Sequence, residues 1–343
     1  MKYIELDDII YNIQKFGGAS TYWQELTAQL NELLPGSIVH NTAKKYMRLY
    51  SPRSAAKIFH SSHFRVSSSR DVKNVITIHD LIYEKGLAGG RGRFINLYER
   101  KKAVLHADAI ICISESTRRD FHEYYGTLVG SKPVHVIHHG CTKLPTGLAG
   151  QIPFFNRPEY ANLSLSTGQF FVFVGGRAGY KNFELLLKSF VVGNFALQGF
   201  RIVCTGAGFN DYERALIASL KLSESVVSIG FVDATTLGEL YSVARALVYP
   251  SAYEGFGLPA LEAMATGCPV ICADSSSLPE VVGKSGILID PHSTEQLADA
   301  MSSVLVDETR FHFSQAGIER AKLFDWRESA RAHANVYESL VPF

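Results

Sequence analysis

The chain has 343 residues, of which 46% are hydrophobic and 20% charged, with a formal net charge of +1. That length accommodates two domains of ordinary size, and that balance excludes a disordered or collagen-like chain. The charge is uneven: residues 1–150 carry a net +7 and the remainder −6, so the N-terminal half either displays solvated basic helix faces or meets nucleic acid, a phosphorylated metabolite or a membrane surface.

The opening MKYIELDDII places acids where a signal peptide needs an apolar run. No stretch approaches the roughly 18–20 apolar residues of a membrane span. The cysteines, at 112, 141, 204, 268 and 272, are odd in number and lack framework spacing, which fits a reducing compartment. A cytoplasmic protein is expected, in solution or attached peripherally at the inner face of the membrane.

Next comes FGGAS (16–20), between a first strand-like run and the helical STYWQELTAQLNELL. Gly17 and Gly18 allow close backbone approach at a helix N-terminus, which favours phosphate; taken alone, the pair is better read as an ordinary turn. Short apolar runs at 74–80, 108–114, 134–139, 170–176, 200–206, 226–231, 246–251 and 269–274 alternate with helical patterns. Continuous apolar strands with helices between them imply parallel sheets covered on both faces.

TIHDLIY (77–83) sets His79 and Asp80 at a strand's carboxyl end. Arg91, Arg93, Arg100, Lys101 and Lys102 follow in one turn-and-helix region, then Arg118 and Arg119; Lys44, Lys45, Arg48, Arg53 and Lys57 precede them. An anionic acceptor or a membrane surface would explain this excess, with Asp80, Arg91, Arg93 and Arg100 on that side of the site. His60, His63, His138 and His139 lack companions at zinc spacing and are expected to be structural.

The stretch from Leu144 to Gly168 is rich in Pro, Gly, Ser and Asn. It separates a domain over 1–150 from one over 169–324, with 151–168 as linker. A terminal helix over 325–343 has the option of packing back on the first domain. In doubly wound domains ligands bind beyond the carboxyl ends of the strands. Within the second domain, FVGGRAGYKNFE (173–184) follows a strand and opens a helix, and its Arg177 and Lys181 stand where two cations can neutralise a diphosphate.

YEGFGLPALEAMATGCPV (253–270) carries only two charges, Glu254 and Glu262. Pro259 suits a first helical position and Gly267 a helix stop. Strand, Gly-rich loop, helix and two carboxylates suit a sugar nucleotide: backbone N–H groups for the diphosphate, carboxylates for sugar or ribose hydroxyls.

VYPSAYEGFGLPALEAMATGCPVICADSSSLPEVVG (248–283) resembles the Glu–seven residues–Glu signature of family 4 retaining glycosyltransferases. FGGAS, TIHDLIY, ICISESTRRDF, FVGGRAGYKNFELLL and SIGFV match in order. The resemblance implies a GT-B fold: α/β, two doubly wound Rossmann-like domains facing across a cleft. It implies that Glu254 faces the donor sugar, that Glu262 holds the ribose, and that Gly255, Phe256, Gly257 and Leu258 line sugar and diphosphate. It sets His79 beside the reacting sugar and Gly17 and Gly18 near the diphosphate. The family's arginine directly follows the first glycine of its strand end; here Gly176 stands there and Arg177 comes one later.

The implied activity is metal-independent transfer of a hexose, with retention, from a nucleotide-diphosphate sugar to a glycan or lipid-linked acceptor. The form FVGGRAGYKN is similar to mannosyltransferases that build bacterial surface polysaccharide, which suggests GDP-mannose. No Asp-x-Asp motif, cofactor or nucleic acid enters. The rival readings are a dehydrogenase, from TGAGFND (205–211), which lacks the third glycine; a glycosidase; and a sugar-nucleotide-binding protein without turnover.

Overall fold

The computed structural model describes residues 3–14, 17–146, 157, 160, 163 and 165–342; most of the expected linker, 151–168, lies outside them. Two compact units are present: Met1–Gly140 with Phe324–Phe343, and Cys141–Leu323.

Each unit is built on a six-stranded sheet among the described residues, and every pairing is parallel. The first contains β1 (Ile4–Asp7), β2 (Ile38–Asn41), β3 (Ile58–Ser61), β4 (Lys73–Ile78), β5 (Ala109–Cys112) and β6 (Val134–Val136), in the order β2-β1-β3-β4-β5-β6. The second contains β7 (Phe170–Phe173), β8 (Arg201–Cys204), β9 (Val226–Ser228), β10 (Ala246–Tyr249), β11 (Val270–Ala273) and β12 (Ile287–Ile289), in the order β12-β11-β10-β7-β8-β9. All eight apolar runs form strands. Six of these twelve strands are buried along their whole length, as helices on both faces of a parallel sheet require.

In the second unit the chain runs outward from β7 through β8 and β9, then returns to β7's other side and runs outward again from β10. The crossovers reverse there. The loops leaving β7 and β10 therefore diverge, opening a crevice at the strands' carboxyl ends. A core of Phe171, Phe173, Phe190, Phe195 and Val248 holds this sheet against its helices.

The terminal helix, Trp326–Leu340, belongs to the first unit and is tied to it by a buried polar chain. The His333 Nδ1 lies 2.7 Å from the Ser329 carbonyl, which can only accept. That nitrogen therefore bears the hydrogen, and in a neutral ring Nε2 accepts from the Tyr22 hydroxyl at 2.8 Å. The Tyr22 oxygen then accepts from Thr77 (3.2 Å), and Thr77 from His60 Nε2–H (2.9 Å). His60 Nδ1 is left to accept from the Tyr337 hydroxyl at 2.6 Å. One carbonyl thus fixes the direction of five hydrogen bonds.

Burial keeps both histidines neutral, with His333 pushed down to about 4 and His60 lowered well below the ordinary imidazole value. Protonating His333 sets two hydrogens against each other at Tyr22. A depressed histidine stabilises the fold above its unfolded pKa near 6.5 and loses that contribution as pH falls toward 4. For His333 this is on the order of 3 kcal/mol. Urea unfolding at pH 7 and pH 5 should show wild type losing stability at the lower pH, with a smaller loss in His333→Gln. An equal loss in both proteins would contradict this account.

Candidate active site

The crevice between β7 and β10 brings two of the expected site residues into contact. Lys181 closes a short 3-10 turn, Gly179–Lys181, after β7, and its Nζ lies 2.6 Å from Glu254 Oε1 in the loop after β10. Both side chains are largely buried. The ammonium also lies 5.6 Å from the centre of the Tyr249 ring at the end of β10. The Tyr249 phenol is raised well above its ordinary value by burial and then by the neighbouring Glu254 charge, so it remains a neutral donor.

Two sets of bonds hold these loops. Asn182 adopts a left-handed conformation (φ 55°), and its amide donates to the Pro250 and Pro291 carbonyls, both at 2.9 Å. The Ala252 N–H donates to the Tyr180 carbonyl at 2.8 Å. From the other side, the Glu254 N–H donates to Ser276 Oγ (2.8 Å), while the buried Ser277 hydroxyl lies between the Glu254 and Phe256 carbonyls (2.9 and 2.8 Å). Ser275 donates to the Ala252 carbonyl at 2.5 Å.

The loop Glu254–Gly257 leads into the helix Leu258–Ala265. Gly257 is its N-cap, with φ 107°, and an added Cβ would meet Leu278 Cδ2 at 2.7 Å. No side chain caps this end. The helix begins one residue before the expected Pro259, which becomes the second helical position; there too a missing N–H costs no intrahelical bond. Gly267, at φ 77°, follows the helix end.

Glu262, on this helix, is half-buried, and the loss of hydration raises its carboxyl to about 7. Among the described residues no group donates a hydrogen bond to that carboxyl. Tyr241 and Cys141 lie near enough for its charge to raise them further, beyond the effect of their own burial. The two glutamates thus differ: Glu254 is matched by a cation, whereas Glu262 is a half-buried acceptor with no cation beside it among the described residues.

Arg177 corrects an expectation. It does not stand beside Lys181 as a second open cation: its side chain is 4% exposed and its Nε donates to Glu213 Oε1 at 3.0 Å. It also donates to the Ala207 and Gly208 carbonyls and stacks 4.9 Å from the Phe209 ring centre. Glu213 belongs to a capping box with Asn210 on the helix Asp211–Ser219. A carboxylate so buried requires a cation, and Arg177 supplies it.

In the first unit, His79 follows β4, and burial pushes its imidazole down to about 4, so it is neutral near pH 7. Its ring meets Tyr22 edge-on at 4.9 Å. Tyr22 stacks on His139 (4.7 Å), and His139 on Trp326 (5.6 Å). Gly17 is the N-cap of the helix Gly18–Leu33 at φ 138°, with no side-chain cap, and a Cβ there would meet Gln14 Nε2 at 1.8 Å.

The expected acceptor-side cations differ from the expectation. Arg100 is buried, 4% exposed, with Nη1 2.5 Å from Glu84 and Nη2 3.8 Å from Asp80. Arg93 donates to the Tyr83 carbonyl at 2.9 Å. Both brace the loop after β4 from the helix Arg91–His106. The side chain of Arg91 lies outside what the structure describes. Asp80 accepts from the Ile82 N–H at 3.3 Å and orders the same loop.

The family model "Glycosyl transferases group 1" matches residues 159–321, and "Glycosyltransferase Family 4" matches 38–142. O-antigen chain mannosyltransferase B of Escherichia coli is 42% identical over 113 residues, 33% of this chain and 30% of that protein. The chain spans 30% to 44% of the length of curated relatives such as this one. Sucrose-phosphate synthase from Thermosynechococcus elongatus superimposes with a TM-score of 0.75 at 20% identity, over 99% of each chain. Anabaena HepE, solved with UDP and glucose, gives 0.73 at 16% identity over 99% of this chain and 100% of that one. The chain belongs to the family 4 glycosyltransferases. Its architecture is GT-B.

In this family member the residues with chemistry to offer divide between the units. Lys181, Glu254, Glu262 and the Gly255–Leu258 backbone share one edge of the second unit, and His79 and Gly17 occupy the first. Sequence reasoning missed the residues that hold the loops, namely Asn182 and Ser275–Ser277. An asparagine directly before a helical run was a legible signal for the left-handed turn; the serine run looked like an ordinary loop. Asn182→Gly should keep the turn but lose both carbonyl bonds, and Asn182→Ala should lose the turn's preferred conformation as well. Both should destabilise the protein, the alanine variant further by about 1 kcal/mol, as read by chemical denaturation. Alanine as stable as glycine would refute the conformational part.

Proposed function

We propose that this protein transfers a hexose from a nucleotide-diphosphate sugar to a hydroxyl of a glycan or lipid-linked glycan. The observation that carries the reading is the Lys181–Glu254 pair at the strand-order reversal, beside an uncapped, glycine-led helix N-terminus. Glu254 accepts from hydroxyls of the donor sugar. Lys181 has three N–H donors, so it can keep Glu254 and still meet a phosphate oxygen. The N–H groups of Gly255–Leu258 face the diphosphate, and Glu262 takes the ribose hydroxyls.

In the reaction the acceptor oxygen bonds to the anomeric carbon as the bond from that carbon to the diphosphate oxygen breaks. The nucleoside diphosphate leaves with the electron pair, and its same-face phosphate oxygen takes the acceptor's proton. This course retains the anomeric configuration. Lys181 and the helix N-terminus stabilise the departing charge, so the proposed transfer is metal-independent and needs no cofactor. His79, in the first unit, stays neutral near pH 7.

The mannosyltransferase relative favours a mannose donor, with GDP-mannose first, and a surface polysaccharide or lipopolysaccharide product. The proposed site of action is cytoplasmic, at the inner face of the membrane. Thermal-shift measurements against GDP-, UDP-, dTDP- and ADP-sugars test the donor; stabilisation by none of them would remove the reading. Release of nucleoside diphosphate that requires acceptor separates transfer from binding without turnover.

Glu254→Ala should lower turnover at least about a hundredfold while the protein stays folded, because contacts to the reacting sugar are lost where they matter for the transition state. Near-normal turnover would overturn the assignment.

Donor binding should also depend on pH. Hydroxyls donate to the ionised Glu262, so binding favours the carboxylate over the protonated form present below about 7. Donor affinity, read by calorimetry, should weaken as pH falls from 8 to 6. In Glu262→Gln the affinity should be lower and this slope should vanish; an unchanged slope would exclude Glu262 from the nucleotide site.

A further inference from the structure

The basic excess of the first unit is expressed on a face that also carries aromatic side chains. No Asp or Glu occurs from residue 33 to residue 70, and Glu99 is the only acid between Arg91 and Lys102. Glu99 is buried against Arg48, whose Nε lies 2.6 Å from it, and Arg48 also reaches Asn96 at 3.3 Å. The Lys102 Nζ donates to the Leu49 carbonyl at 3.1 Å. These bonds bind the 3-10 turn Lys45–Met47 and the residues after it to the flank of the helix Arg91–His106.

The outward side of that helix has the wrong chemistry for water. Phe94, Tyr98, Lys101 and Leu105 recur at intervals of four, three and four, which keeps them on one side of a helix. Phe94 is 79% exposed and Tyr98 61%; Leu105 and Lys101 are exposed too. The opposite side, with Ala103 and Val104, is buried in the unit's core. On the attached turn Tyr46 is 77% exposed and Tyr50 58%, beside exposed Lys44 and Lys45. Two aromatic-tipped elements therefore stand side by side, flanked by lysines and by no exposed acid from either segment.

We propose that this face docks the enzyme on a bilayer rich in anionic lipid, the aromatic rings entering the headgroup region and the lysines meeting lipid charge. Complementarity selects the occupant. Aromatic tips with flanking lysines suit the boundary between lipid headgroups and acyl chains, whereas two copies of this face would bring like charges together. No described helix is long and apolar enough to cross a membrane, so attachment through this face is interfacial. The inference rests on the reading of a membrane-borne acceptor and names the surface that reaches it.

The test is flotation of the full chain with vesicles of phosphatidylcholine alone or of equimolar phosphatidylcholine and phosphatidylglycerol, at low and high salt. Wild type should float with the anionic vesicles only, and less at high salt. Phe94→Ser/Tyr98→Ser should weaken binding on the order of tenfold, and Lys45→Glu and Lys101→Glu each by at least roughly fivefold. All should keep the wild-type melting temperature and nucleoside diphosphate release with a soluble acceptor. Wild type that does not float, or variants that float as well as it does, would overturn the docking surface. So would a dimer in sedimentation velocity that these substitutions disperse. Loss of nucleotide release in wild type strikes the enzymatic reading instead, and the two failures are separable.

Discussion

The ion pair between Lys181 and Glu254 depends on a constraint of topology. Because all the described strand pairings are parallel, every strand in a sheet delivers its following loop to the same edge. Only where the crossovers change direction, between β7 and β10, do two adjacent loops part instead of packing over each other. Lys181 leaves one strand and Glu254 the other. Their contact spans the gap with two charges from segments 73 residues apart. Asn182, Ala252 and the three serines fix that gap with neutral hydrogen bonds, so the charged atoms can move when a ligand arrives while the backbone stays in place.

The two glutamates of one short segment show how environment assigns roles. Both sit in apolar surroundings, yet only Glu254 has a cation at hydrogen-bond distance. Glu262 is held up to about 7 because no described group compensates its burial. A carboxyl partly withdrawn from water without a partner costs stability once ionised. Keeping one on a helix at the edge of the crevice makes sense where a ligand's hydroxyls complete it. The same logic read in reverse explains Arg177 and Arg100. Each answers a carboxylate, Glu213 or Glu84, so its charge is already matched within its own unit.

Most of the fold was legible because parallel strands buried on both faces must be continuously apolar. Runs such as FFVF and AIIC announced themselves. IVHN, IFHS and ILI (β2, β3 and β12) were too short or too mixed to stand out. The paired acids, the glycine-led loop and Lys181 were legible from residue type and order. What could not be read was which charges were already matched: Glu213 lies 36 residues from Arg177 in sequence and Glu84 lies 16 from Arg100, and only the fold brings them together. His60, His333 and Tyr337 show the same limit. His60 looked isolated in sequence, and the chain linking these residues to Tyr22 and Thr77 spans up to 311 residues of sequence.

A count of charges was therefore a poor guide to where the basic half presents its charge, and the reason is chemical. Arginine carries five donors in a planar fork and tolerates burial when a carboxylate meets it. Lysine carries a compact, strongly hydrated charge on a flexible stem and stays outside more readily. In the first unit Arg48, Arg65 and Arg100 turn inward onto Glu99, Asp7 and Glu84, whereas Lys44, Lys45 and Lys101 remain exposed. On the face formed by the turn and this helix, the positive charge that a partner meets comes from these lysines, with the aromatic rings beside them. These arginines do different work: Arg100 sets the helix Arg91–His106 against the loop after β4, Arg48 ties the turn to that helix, and Arg65 answers Asp7.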